Sequence, residues 1–369
     1  TIGALQDQKF EADFDRVILD MLSPWDCVET AANALEGQHS FLYFCGEMTP
    51  EEIIAPVAPS MEAFNRLFSD SLRSEVPLLD KVTHYVVKKR GKQVRPLFVF
   101  LSCQLFAPVN QKALDAALLT ELLHNATIVH DDVVDDANER RGYFSVNALW
   151  KNKIAVLVGD YMLSKILLLS LDQNNTDLLA LVARSVKEMS EGELLQMEKA
   201  RKLDITEEIY FEVIRKKTAS LIATCCESGC IASGCIEHRE TMRAFGEKVG
   251  LAFQIKDDIF DLGSEVAVGK PTGNDIREQK MTLPIIYALN TLDTSNARSL
   301  ANIIKNKNND ASSIKQAIQM VSNSGGIAYA EKKMQQLGTE AKALLAAFPD
   351  QPAKRSLLGL VDYTMNRTK

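Results

Sequence analysis

The chain has 369 residues, 46% of them hydrophobic and 25% charged, with a net charge of −7. That is apolar material for one large core or two modest ones, and the absence of a basic block argues against a nucleic-acid partner, leaving small molecules or other proteins. Seven cysteines, an odd number, behind a first stretch TIGALQDQKFEADFD that lacks a basic segment followed by an apolar one, point to a reducing, cytoplasmic setting.

Residues 1–59 are expected to be an N-terminal extension, joined through the proline-punctuated TPEEIIAPVAPS to a main body at 60–369. In that body apolar residues recur at helical spacing in FNRLFSDSL, PLLDKVTHYVV, ALDAALLTELLHNATIVH, LLALVARSVKEMSEGELLQM and TMRAFGEKVGLAFQIKDD, while period-two alternation is scarce. The pattern predicts an all-α fold, a helical bundle. No window reaches the roughly 18 to 20 uninterrupted apolar residues of a membrane span. The nearest, IAVLVGDYMLSKILLLSL, is broken by Gly159, Asp160 and Lys165, so no transmembrane segment is expected, and a peripheral membrane contact stays open. The two longer breaks, DDANERRGYFSVN and LGSEVAVGKPTGNDIREQK, each begin just after an acidic cluster.

Those clusters carry the chemistry. Asp131, Asp132 and Asp135 close one apolar helix, with Asp136 beside them, and Asp257, Asp258 and Asp261 close another. Residues four apart share a helix face. Unrelieved, carboxylates about 5 Å apart repel by roughly 3 kcal/mol per pair at an effective dielectric near 20. A single acidic run is as well explained by helix-end solvation, but two copies, each followed by a basic loop, predict a cage of hard oxygen ligands facing one another. Magnesium suits such a cage, because it takes few carboxylates, keeps waters and completes its shell with substrate phosphate oxygens.

The chain resembles the trans-type polyprenyl diphosphate synthases. HDDVVDDANERRG is similar to that family's first aspartate-rich motif with its trailing arginine pair, and FQIKDDIFD to its second. The likeness runs from about residue 60 onward and implies an isoprenoid synthase helical bundle around a central catalytic cavity. It implies Asp131, Asp132, Asp135, Asp257, Asp258 and Asp261 as the metal set, holding about three magnesium ions with a diphosphate. KKRGKQVRP resembles the family's G-G-K-R-x-R-P, which implies that Lys92 and Arg95 bind the diphosphate of isopentenyl diphosphate. Arg90 replaces a glycine there and Gln93 an arginine. By the same resemblance His124 and Arg141 contact isopentenyl diphosphate, while Arg140, Lys217, Thr218 and Gln254 serve the allylic diphosphate. Lys270 and Lys280 close over the leaving group, with Gln279 in place of a glycine. GSEVAVGKP is not a P-loop: its glycines are one residue too far apart, Pro271 replaces Ser or Thr, and a helix precedes it.

The reaction so implied is head-to-tail prenyl transfer, with Asp131, Asp135, Arg140, Lys217, Asp257 and Lys270 as the catalytic set. No side-chain nucleophile is needed. Ala126 and Thr127, five and four residues before Asp131, lie about 6 to 8 Å below the metal site at 1.5 Å rise per residue. Short-chain members carry aromatics there, so small residues imply an open tunnel and a long product of the octaprenyl or heptaprenyl kind, as for a respiratory-quinone tail. Met162 or Leu163 are alternative floors. The competing readings are a short-chain farnesyl or geranylgeranyl diphosphate synthase and a non-catalytic synthase subunit. The resemblance also implies a homodimer. Cys225, Cys226, Cys230 and Cys235 lack C-x-x-C pairs and are expected to pack as small apolar groups.

Overall fold

The computed structural model describes residues 48–88, 91–140, 143–202, 205–263 and 273–367, without the side chains of residues 140, 201 and 202. Helix α1 (Pro50–Ile54) starts from a capping box, in which the Thr49 hydroxyl accepts from the Glu52 amide and the Glu52 carboxylate from the Thr49 amide. A 3₁₀ turn (Ala55–Val57) leads into α2 (Ala58–Ser71), followed by α3 (Pro77–Lys88) and α4 (Val94–Gln104). Ile53 and Val57 are already buried.

Two long helices come next. Asn110 caps α5 (Gln111–Val134) by accepting from the Ala113 amide, and its own amide nitrogen donates to the Ala232 carbonyl. α5 is buried over most of its circumference, as a helix apolar on nearly every side must be. A two-residue antiparallel hairpin, β1 (Glu139–Arg140) and β2 (Tyr143–Phe144), follows it, in the first of the two breaks, where strands this short leave no period to detect. Helix α6 (Val146–Asp172) is interrupted at Lys151, whose φ is 70°. It is long and apolar enough, by length and composition only, to cross a membrane, and 33% of its apolar window is buried.

The chain continues through α7 (Thr176–Lys202), α8 (Glu207–Ile214), a π-helical turn (Arg215–Ala219) and α9 (Ser220–Ala232). Every residue of α9 is buried. It is the axis of the bundle, packed against α4, α5, α7 and α10 (Arg239–Asp261). Its small side chains permit this. A Cβ on Gly229 would lie 2.2 Å from the Val99 carbonyl oxygen of α4. Cys225, Cys226 and Cys230 are fully buried there, and burial pushes the thiols of Cys225 and Cys230 up to about 12. The remaining helices, α11 (Asn274–Arg277), α12 (Leu283–Thr291), α13 (Thr294–Asn306), α14 (Ala311–Asn323), α15 (Gly326–Leu344) and α16 (Pro352–Asn366), complete the all-α fold, with α15 and α16 against α10.

Candidate active site

Both acidic clusters sit at the C-terminal ends of core helices, α5 and α10. In the first, Asp132 is buried, Asp131 half-buried and Asp135 exposed. The Asp135 amide donates to the Asp131 carbonyl at 2.8 Å, so the helical register that puts both on one face holds through Asp135. Asp136 follows with φ 49° and ends the run. Behind Asp131 the ring of His130 lies on α6: its Nε2 is 3.2 Å from the Val156 carbonyl and fills the space a Cβ on Gly159 would need.

The second cluster is more firmly tied. Asp257 accepts at 2.7 Å from Arg367 Nη2 near the end of the chain, and that guanidinium lies over the Phe253 ring at 4.0 Å. Asp258 is buried, and each of its oxygens is taken: Oδ2 accepts from the Tyr210 hydroxyl at 2.6 Å and Oδ1 from Gln254 Nε2 at 2.9 Å. Burial pushes the Asp258 carboxyl up to about 7 against those two donors. Asp261 accepts the backbone amides of Asn274 and Asp275 at 3.0 and 2.8 Å, which anchors the start of α11. Burial raises its pKa as well. Asp275 is held well above the usual carboxylate range by burial first and then by Asp258 and Asp261.

Lys280 supplies the counter-charge. Burial pulls its ammonium down, but Glu278, with which it pairs, together with Asp275 and Asp135 holds it above the usual lysine range. One lysine thus feels Asp135 of the first cluster and Asp275 beside the second.

Lys92, Arg95, His124 and Arg367 line a cavity of about 430 Å³ between the N-terminus of α4, the outer half of α5, the π turn and the end of α16, and neither Lys217 nor Lys280 is among its lining residues. Lys92, Arg95, His124, Thr218 and Asp132 all reach it. Lys92 donates to the Tyr363 hydroxyl at 2.7 Å. Gln93, in the left-handed region at φ 50°, leaves its buried Nε2 without a hydrogen-bond partner among the described residues, a strained backbone of the kind that collects at ligand sites. Lys217 pairs with Glu193, and Thr218 donates to Gln254 Oε1 at 2.7 Å. π turns of this kind recur at functional sites.

Some expected residues fall elsewhere. Ala126 is fully buried and Thr127 half-buried, its hydroxyl donating to the His124 carbonyl; neither is among the residues lining the cavity. Met162 is fully buried and Leu163 packs at the core's edge. Arg90, Arg141, Lys270, most of the GSEVAVGKP stretch and residues 1–47 lie outside the described residues, as does the side chain of Arg140. Sequence reasoning missed Tyr210, Asp275, Tyr363 and Arg367. Only Asp275 had a usable signal, an acid in the longer break that follows an acidic helix end.

A divalent ion is the group this donor set would take. All the candidate ligands are carboxylate oxygens, without thiol or imidazole, as a hard cation requires. Among the described residues no three His, Cys, Asp or Glu side chains converge closely enough to hold an ion by themselves, so the shell would be completed by ligand oxygens and water.

The chain is 35% identical over 319 residues to an all-trans-nonaprenyl-diphosphate synthase (geranyl-diphosphate specific) of Rhodobacter capsulatus, covering 86% of this chain and 98% of the relative. Among solved structures, the polyprenyl synthase from Caulobacter crescentus CB15 complexed with calcium and isoprenyl diphosphate superposes with a TM-score of 0.82 at 29% identity, covering 88% of this chain and 99% of that one. The geranylgeranyl pyrophosphate synthase from Bacteroides thetaiotaomicron does so with a TM-score of 0.74 at 38% identity, covering 86% and 99%. The polyprenyl synthetase family model matches residues 76–321, and with that match and a relative 35% identical over most of both chains, the chain belongs to the polyprenyl synthetase family.

Proposed function

We propose that this chain is a magnesium-dependent prenyltransferase that condenses isopentenyl diphosphate head-to-tail with an allylic diphosphate and makes a long all-trans polyprenyl diphosphate. The observation that carries the reading is the pair of acidic clusters, each closing a core helix at its C-terminal end. Asp131, Asp135 and Asp257 would be the main metal ligands, with Asp132, Asp258 and Asp261 supporting them. Bound magnesium would supply the positive charge that stabilises the departing pyrophosphate.

The protein's own groups do the rest. Lys92, Arg95, His124 and Arg141 hold isopentenyl diphosphate, and Arg140, Lys217, Thr218 and Gln254 hold the allylic diphosphate, with Lys270 and Lys280 closing over the leaving group. Phe98, Ile222 and Val249 give the cavity an apolar wall that excludes water from the allylic cation. The double bond of isopentenyl diphosphate attacks that cation, and the proton released goes to the departed pyrophosphate.

A long product, of the kind that becomes a quinone tail, is supported by the small side chains at 126 and 127 and by the likeness to an all-trans-nonaprenyl-diphosphate synthase. A geranylgeranyl-length product is the second reading, favoured by the 38% identity to the Bacteroides thetaiotaomicron enzyme; a non-catalytic subunit fits poorly with two intact acid clusters. We further assign a homodimer, because Leu157, Leu167, Leu168 and Leu171 of α6 stand 53–63% exposed and call for a cover. A cytoplasmic setting, with peripheral membrane contact for product release, completes the reading. Incubating the protein with magnesium, labelled isopentenyl diphosphate and farnesyl diphosphate, then sizing the products, tests it. Chains of about 35 carbons or more are expected for a heptaprenyl or longer product; products stopping at geranylgeranyl length overturn the long-chain assignment, and no elongation at all overturns the enzyme.

A further inference from the structure

Asp258 stands in the second acidic cluster, yet both its oxygens are spent on neutral donors from the protein, Tyr210 and Gln254. The chain of bonds does not stop there. Gln254 has one amide nitrogen and one amide oxygen; with Nε2 committed to Asp258, its Oε1 faces Thr218 and accepts from that hydroxyl. Thr218 lies in the π turn beside Lys217 and lines the cavity. Tyr210 begins this line from the far side. It is buried on α8, away from the cavity lining, and its ring is fixed edge-to-face on Phe211 at 5.4 Å.

We propose that Tyr210 is a positioning residue for the diphosphate on the Thr218 side of the site, acting through Asp258 and Gln254. The hydroxyl of Tyr210 holds the Asp258 carboxylate in one rotamer, the carboxylate holds the amide of Gln254, and the amide oxygen accepts the hydrogen bond that Thr218 donates. The single Thr218 hydroxyl proton is thereby committed to pinning the π turn, and the diphosphate is met by the ammonium of the adjoining Lys217, presented from a turn whose geometry the chain of bonds holds in place. Buried networks of this kind are fixed only when each member is satisfied. Removing the first donor leaves a buried carboxylate oxygen bare and frees Asp258 and Gln254 to rearrange.

This inference rests on the proposed prenyl-transfer site, and its test separates the two. Binding of magnesium pyrophosphate is measured by calorimetry on the full chain and on Tyr210→Phe, together with KM for each substrate and kcat. Tyr210→Phe should weaken magnesium pyrophosphate binding by about tenfold, the scale of one hydrogen bond to a charged group, and raise KM for the allylic substrate while KM for isopentenyl diphosphate stays within twofold. Tyr210→Phe combined with Asp258→Asn should be little worse than Asp258→Asn alone, since the two act in series. Thr218→Val tests the far end of the same chain if the Phe variant proves too unstable to purify, and should weaken the same binding. Binding unchanged in Tyr210→Phe or in Thr218→Val, or losses that simply add, overturns the positioning role. An unmodified protein that binds no magnesium pyrophosphate overturns the functional reading instead.

Discussion

Gly159 on α6 is the sharpest place to challenge the first acidic cluster without touching an acid. An alanine there puts a Cβ 2.2, 2.5 and 2.8 Å from Nε2, Cδ2 and Cε1 of His130, where nonbonded contact needs about 3.5 Å. The ring is rigid and must retreat by more than about 1 Å, losing its hydrogen bond to the Val156 carbonyl. Overpacking costs about 1–3 kcal/mol and the lost bond about 1 kcal/mol, while alanine's better helix propensity returns about 1 kcal/mol. The balance is a loss of roughly 1–3 kcal/mol, and a fall in melting temperature of several degrees for a chain of this size. Because His130 adjoins Asp131, the displacement passes to a proposed metal ligand, where about 1 Å would be enough to lower turnover by roughly a hundredfold. Thermal unfolding followed by circular dichroism and a labelled-substrate turnover assay read the two effects. A Gly159→Ala protein that melts at or above the parent temperature with undiminished turnover would refute the argument.

Asp131→Ala and Asp257→Ala should each lower turnover by orders of magnitude while helical circular dichroism is retained; near-normal activity in either removes that residue from the ligand set. Ala126→Phe should shorten the products seen by thin-layer chromatography, and unchanged lengths would place the ruler elsewhere, with Met162 and Leu163 next to examine. At the N-cap of α14, the hydroxyls of Ser313 and Ser312 and the Ser313 amide hold the Asp310 carboxyl down at about 2. A carboxylate whose pKa is lowered by folding contributes stability above its unfolded value of about 3.8 and loses it as pH falls through about 2. Asp310→Asn should therefore melt below the parent at neutral pH, and the gap should close in acid; a gap independent of pH would sink the assignment.

The helices and both acid clusters were legible because each is a local pattern: apolar spacing over many turns, and carboxylates three and four apart on one face. The cationic side was legible through short motifs, and Lys92, Arg95, His124 and Thr218 do meet at one cavity. What escaped was long-range or without a period. Tyr210 reaches Asp258 across 48 positions, Arg367 reaches Asp257 across 110, and Lys92 reaches Tyr363 across 271. No spacing rule joins such pairs. The π turn at RKKTA differs from an α-helix by one hydrogen-bond register, which side-chain pattern does not encode. The depth of Ala126 in the helix interface, away from the cavity lining, is likewise a packing result.

The burial of the cysteines on α4 and α9 has a practical side. Only the thiolate attacks maleimides or disulfides, and with Cys103 pushed up to about 11 and Cys225 to about 12 by burial, less than about one thiol in a thousand is ionised near neutral pH. These sulfurs are shielded until the surrounding helices part. Slow alkylation of Cys103 and Cys225 in native buffer is therefore a clock for transient opening of the bundle's axis, read by mass spectrometry without any engineered probe.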